Sequence, residues 1–165
     1  MLPSADSVAV LANETDPFAK PFLAAIGIGA RTAGLEMKPI MVRPPEPLDA
    51  AFESMAAKGV HAVIMQGSIT SKESIDLAMK HRLPAFGISR ELPAMGGLMG
   101  YFADPGEYYR ETAVYIDKIL KGAKPVNLPV SFRTKFEIVI NVKTAKALGI
   151  SIPTSLLWRA DEVIE

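Results

Sequence analysis

The side chains that usually carry catalysis are sparse in this sequence. It has two histidines, His61 and His81, and no cysteine, so thiolate chemistry and a disulfide framework are both excluded. His61 falls in an apolar run. His81 falls at a helix end, where an imidazolium suits the dipole. Neither has a carboxylate at ligand spacing, so no metal centre is expected. Asp6, Asp16, Asp49 and Asp104 are scattered and form no phosphoacceptor pattern. There is no GxSxG elbow and no P-loop. Gly27 and Gly29 lie inside a helical pattern instead of following a strand, which argues against a dinucleotide site. Hydrolase or transferase chemistry needs a nucleophile and a base. The chain offers no such pair, so we expect no catalytic residue and no cofactor.

What remains are groups suited to holding a small molecule. Asn13, Glu14 and Thr15 follow an apolar run and precede a helix, so side chains and helix N–H groups point to one place. Gln66 and Ser68 follow another such run. Tyr101, Tyr108 and Tyr109 supply flat contact area with a hydroxyl. The same types also serve as ordinary turn, cap and packing residues.

These groups must be positioned by a scaffold, and the hydrophobic pattern describes one. Short apolar runs at residues 7–12, 35–42, 60–65, 83–88 and 97–102 read as strands. Helical patterns at 18–32, 48–58, 71–81 and 104–121 separate them. Pro17 opens the first helix with Thr15 or Asp16 as its cap, and Gly34, Gly59 and Gly122 close three of them. Asp104 caps the last of the four, with Pro105 at N1. Residues 89–95 read as irregular and 127–135 as an extended linker. Residues 136–141 (FEIVIN) alternate as a strand, 143–148 as a short helix, and Pro153 opens a last turn or helix to residue 165. Strands alternating with helices give βαβ units. The expected fold is a three-layer αβα sandwich with a mainly parallel sheet of about five strands. Ligands in such sheets sit beyond the carboxyl ends of the strands, here the loops 13–16, 66–70, 89–95 and 102–104.

With 165 residues, 49% of them hydrophobic and 22% charged, the chain can bury a core of its own. Lys+Arg and Asp+Glu balance at 18 each, which gives no electrostatic case for nucleic acid. The opening MLPSADSVAVLANE lacks a basic n-region. If the protein is exported, its targeting segment is expected outside this chain.

The segments VAVLANETDPFA (8–19), LDAAFESMAAKGVHAVIM (48–65), HRLPAFG (81–87), GGLMGY (96–101), YIDKILKGAKPVNLPV (115–130) and KFEIVINVKTAKALGISIPTSLLWRADEVIE (135–165) occur in an order that resembles the TrpX-like family. These are substrate-binding proteins of ABC transporters, similar to type I periplasmic binding proteins. The resemblance implies one lobe of a two-lobed receptor, the C-terminal one, with the N-terminal lobe missing. It implies a small solute such as an amino acid, an ABC transporter permease as partner, no catalysis, and a periplasmic or extracellular place. It also implies that residues 1–135 form the ligand-binding lobe and 136–165 a crossover tail, a strand plus short helices, that packs on the lobe or on a partner. Carried over by motif, the ligand-facing residues are Asn13, Glu14 and Thr15; Gln66, Gly67 and Ser68; Ser89, Arg90 and Glu91; and Tyr101 and Asp104. Phe102 stands where relatives have glycine, and MQGSITSKES departs from the usual loop. Gly96, Gly97 and Gly100 are read as letting the backbone approach a ligand or the facing lobe. A different reading, a stand-alone flavodoxin-like sensing or oligomerisation domain, fits the same pattern of elements.

The tail carries Phe136, Ile138, Ile140, Ile150, Ile152, Leu156, Leu157, Trp158 and Val163. Without the first lobe this inventory is expected to lie bare. A homo-oligomer with residues 136–165 in its interface is the expected remedy.

Overall fold

The computed structural model describes residues 1–132 and 134–165. The chain order is β1 (Ser7–Asn13), α1 (Ala19–Thr32), β2 (Glu36–Val42), α2 (Asp49–Ala57), β3 (Val63–Met65), α3 (Lys72–Lys80), β4 (Ala85–Gly87), α4 (Glu91–Ala94), β5 (Met99–Ala103), α5 (Pro105–Leu120), β6 (Phe136–Asn141), α6 (Val142–Leu148), α7 (Thr154–Leu157) and β7 (Glu162–Ile164). Single 3-10 turns lie at Gly67–Ile69 and Pro125–Asn127. The sheet has the order β2-β1-β3-β4-β5-β6-β7. Every pairing is parallel except β5 with β6. The three-layer class is as the pattern predicts, with seven strands in place of about five.

Alternation along the strands sorts the two faces. Ala9, Leu11, Val63, Met65 and Ala85 point one way and pack with Phe52, Met55, Ile75, Leu77, Ala78 and Leu92. That face lies under α2, α3 and α4 and holds the main core. Val8, Ile64, Phe86, Met99 and Tyr101 point the other way, towards α1. Right-handed crossovers explain the split: the chain moves one way from β1 to β2 and the other way from β2 onward.

Local signals set most boundaries. Ser71 caps α3, its hydroxyl accepting from the Ser74 N–H while Ser74 returns the bond. Asp104 accepts from the Gly106 N–H at 2.7 Å, and Pro105 takes the first position of α5. At α1 the helix proper starts at Ala19, and Asp16 accepts from the Phe18 N–H at 2.8 Å, closing the preceding turn.

Two expectations need correction. Residues 89–95 contain the short helix α4. The end of the chain holds β7, which the pattern gave as turn or helix. β7 exists because β6 offers it an edge, and Asp161 fixes the register by accepting from the Ile138 N–H at 2.8 Å. The tail packs on the lobe's own sheet. β6 pairs antiparallel with β5, Val139 and Ile140 are fully buried, and the Asn141 side chain donates to the Pro93 carbonyl at 2.9 Å. The expected extended linker over 127–135 includes Arg133, which lies outside the described residues; its first residues close a 3-10 turn.

The glycine cluster has an internal cause. A Cβ on Gly100 would sit 2.3 Å from the Ser89 carbonyl oxygen, and one on Gly97 would sit 2.2 Å from a Leu92 methyl. Both glycines let the β4–α4 segment press against β5. The close approach is within the chain, in place of the expected approach to a ligand or lobe.

Candidate functional site

The sheet reverses direction of growth at β1, so the carboxyl ends of β1 and β3 flank the switch point where open α/β sheets bind ligands. Gln66 leaves the end of β3 and is buried, while Asn13 ends β1. The Gln66 side-chain carbonyl accepts from the Asn13 N–H at 2.9 Å. Its amide donates to Asp16 Oδ2 at 2.8 Å, and the Ser68 hydroxyl donates to the same oxygen at 2.8 Å. Asn13 Oδ1 in turn accepts from the Thr15 N–H at 3.0 Å and its hydroxyl at 2.8 Å. Two loops expected separately are therefore one hydrogen-bonded unit, and Asp16 is its hub.

The sequence pattern offers Asp16 as a cap of α1 and as the end of the loop 13–16; the N-cap position is instead Phe18, without a side-chain cap. The role of Asp16 as hub was hidden because Gln66 lies 50 residues away in the chain. The neighbouring Glu14 pairs with Arg43 at 3.1 Å, across the end of β2. Both are half exposed, so the pair closes the loop's outer rim at little energetic gain. Gly67 starts the 3-10 turn after Gln66 and leaves its backbone open on one side.

The remaining residues expected in the site occupy the other half of the sheet. Arg90 lies over the Phe102 ring at 5.9 Å and is bound to Glu137 of β6 at 2.8 Å and to Glu162 of β7. The hydrogen bond to Glu137, with Glu162 and Glu91 nearby, raises the guanidinium pKa above its ordinary value. Ser89 supplies the carbonyl packed on Gly100, and Glu91 opens α4. Tyr101 points to the opposite face of the sheet from Phe102, where it stacks on Phe136 at 5.3 Å. Asp104 accepts from Lys135 at 2.8 Å, and Arg110 lies 3.7 Å away. The Lys135 hydrogen bond, then the Gly106 N–H, hold its carboxyl below the usual carboxylate range. The same pairing raises the Lys135 ammonium. The structure thus brings Asn13, Thr15, Gln66 and Ser68 together, seats Arg90 and Asp104 in ion pairs, and separates Tyr101 from Arg90 by the thickness of the sheet.

Among the described residues, no group of three histidines, cysteines or carboxylates is placed to hold a metal ion, and no helix is long and apolar enough to cross a membrane. The polar unit at β1 and β3 joins Asn13, Thr15, Asp16, Gln66 and Ser68 in one hydrogen-bonded network at the strand ends.

Residues 1–164 match the family model described as ABC transporter substrate binding protein. Among solved structures, the chain is similar to an ABC domain in complex with L-Trp from Streptococcus pneumonia, at 26% identity and a TM-score of 0.87. That match covers 98% of this chain and 57% of the other. A conserved domain protein from Vibrio cholerae O1 biovar El Tor has the same fold, with a TM-score of 0.88 at 23% identity over 98% of this chain and 56% of that one. So does the ligand-free, open form of a substrate binding protein with adhesive properties from Clostridium difficile, with a TM-score of 0.74 at 18% identity over 98% and 55%. No curated protein sequence matches the chain. It spans a little over half the length of these structural neighbours.

Proposed function

The chain belongs to the ABC transporter substrate-binding protein family, and from that premise we propose that it is the C-terminal, solute-binding lobe of an importer's receptor. The family is one of transport proteins, not of enzymes. The observation that carries the reading is the Asn13–Asp16–Gln66–Ser68 unit at the β1/β3 switch point. A second lobe would close over it, and the solute would be an amino acid or a related small organic molecule. The neighbour solved with L-Trp supports that class. Residues 1–135 would carry the ligand-facing loops and 136–165 would complete the sheet behind them. Glu14, Gly67, Ser89, Arg90, Glu91, Tyr101 and Asp104 would line the remainder of the cleft or support those that do. Delivery to a permease would put the receptor in the periplasm or outside the cell.

A half cleft buries only part of a ligand, whereas complete pockets enclose about 70–90% of one. Binding by this chain alone is therefore expected to be weaker than roughly micromolar, about 8 kcal/mol. Amide NMR spectra during titration with L-Trp and other amino acids provide the test. The expected result is fast-exchange shifts at the amides of Asn13–Asp16 and Gly67–Ile69. Shifts confined to other surfaces, or none at millimolar concentrations of any amino acid, would overturn the reading.

A further inference from the structure

Backbone N–H groups can only donate, and that fixes the orientation of both side-chain amides in the β1/β3 unit. The Thr15 N–H faces the Asn13 side chain at 3.0 Å, so the atom there is Oδ1, and the Thr15 hydroxyl adds a second donor to it at 2.8 Å. The Asn13 N–H faces Gln66 at 2.9 Å, so the atom there is Oε1 and the Gln66 amide nitrogen turns to Asp16. Asp16 then receives three donors: the Phe18 N–H on Oδ1, and the Gln66 amide and Ser68 hydroxyl on Oδ2. A carboxylate has about four acceptor sites, so three donors nearly fill it.

One strong group is left unspent. Asn13 Nδ2 carries two N–H donors, and among the described residues it donates to none. Asn13 is the last residue of β1 and only half-buried. Two bonds hold its oxygen, so the nitrogen is presented in a fixed direction. The Thr15 and Ser68 hydroxyl protons are both committed, which leaves those oxygens as neutral acceptors. Carboxylates along the same edge of the sheet are engaged as well: Glu14 with Arg43, Glu137 with Arg90, and Asp104 with Lys135.

We propose that Asn13 is the specificity residue of this loop pair, its amide nitrogen donating to the carboxylate of the solute. This rests on the solute-receptor reading above and adds which end of the molecule the lobe reads. A carboxylate is the strongest acceptor a small organic solute offers, and a donor already held in place takes it without rearrangement. An ammonium at the same point would meet the two N–H groups of Asn13, donor against donor, with neutral hydroxyl oxygens and a nearly filled Asp16 beside it. The lobe should therefore recognise an organic acid with or without its amine, and reject the amine that lacks the acid. All the groups concerned lie between Asn13 and Ser68 and are fixed by bonds to one another.

Amide NMR titrations of the 165-residue chain with three probes that share one ring provide the test: L-Trp, indole-3-propionate, which lacks the ammonium, and tryptamine, which lacks the carboxylate. The acid should shift the amides of Asn13–Asp16 with a dissociation constant within about threefold of that for L-Trp. Tryptamine should bind there about tenfold more weakly or not at all, the size of one charge-assisted hydrogen bond. Asn13→Asp keeps an acceptor for Thr15 and exchanges the amide nitrogen for a second anionic oxygen. It should weaken the acid by about tenfold or more and leave tryptamine equal or tighter. A dispersed amide spectrum establishes that the variant is folded, and the comparison of probes on the parent chain needs no variant. Tryptamine matching indole-3-propionate at these amides would overturn the assignment while leaving the solute reading intact, and so would equal binding of the acid to both chains. No shift at these amides from any of the three probes would overturn the assignment too; the solute reading falls with it only if the other amino acids also fail.

Discussion

Replacing Gln66 with alanine removes the side chain that ties β3 to β1 and to the start of α1. The side chain makes two bonds of good length, accepting from the Asn13 N–H and donating to Asp16. A neutral hydrogen bond contributes about 1 kcal/mol net and one to a charged group about 1.5–3 kcal/mol. Gln66 is 4% exposed, so water is poorly placed to substitute. Gln66→Ala should therefore cost about 2–4 kcal/mol, a large share of the roughly 5–15 kcal/mol that holds a domain together. For a chain of this size that is a fall in Tm of about 5–15 °C. Urea denaturation followed by far-UV circular dichroism is the assay, because Trp158 is too exposed to report the core. Gln66→Glu sharpens it. Its new carboxylate faces Asp16 where an amide donated, so its folded pKa is raised above the unfolded value. The variant should be least stable at neutral pH and recover as pH falls through that raised value. A loss below about 0.5 kcal/mol in Gln66→Ala, with a pH-independent deficit in Gln66→Glu, would refute the idea that these bonds hold the loops.

Asp104 has its folded pKa lowered by Lys135 and the Gly106 N–H. Its contribution is present above the ordinary carboxylate pKa and is lost as pH falls through the folded value; Asp104→Asn should flatten the acid side of a stability–pH profile measured by urea midpoints. Gly100→Ala drives a Cβ against the Ser89 carbonyl and should cost about 3 kcal/mol or more. Gly29→Ala, with nothing within 4 Å in mid-helix, should stabilise by about 0.5–1 kcal/mol, both read by thermal denaturation. Arg90→Gln cuts a half-exposed ion-pair network and should cost about 1 kcal/mol or less. Its clearer sign is faster amide hydrogen exchange in β7, while rates in β1 stay unchanged.

The sequence by itself determined the layer order. Buried parallel strands read as continuous apolar runs, and amphipathic helices with capping residues separate them, so these periods are visible in any window of ten residues. It also determined the start of α5 and the end of α1, since Asp104-Pro105 and Gly34 act through neighbours within four positions, whereas α1 begins at Ala19, beyond the expected caps. The two loops at β1 and β3 were legible for the same reason: each follows an apolar run and carries polar residues. Only the tertiary structure decided what those residues do. Asp16 became a hub through Gln66 and Ser68, and Arg90 became a clamp on β6 and β7, because strand pairing brings together residues about 50 to 70 apart in the chain. β7 has three residues, too few for a period, and exists because β6 presents an unpaired edge. Gly97 and Gly100 signalled a close approach, but which group comes close depends on where α4 packs. Apolar residues announce that they will be buried, and the sequence does not say against what.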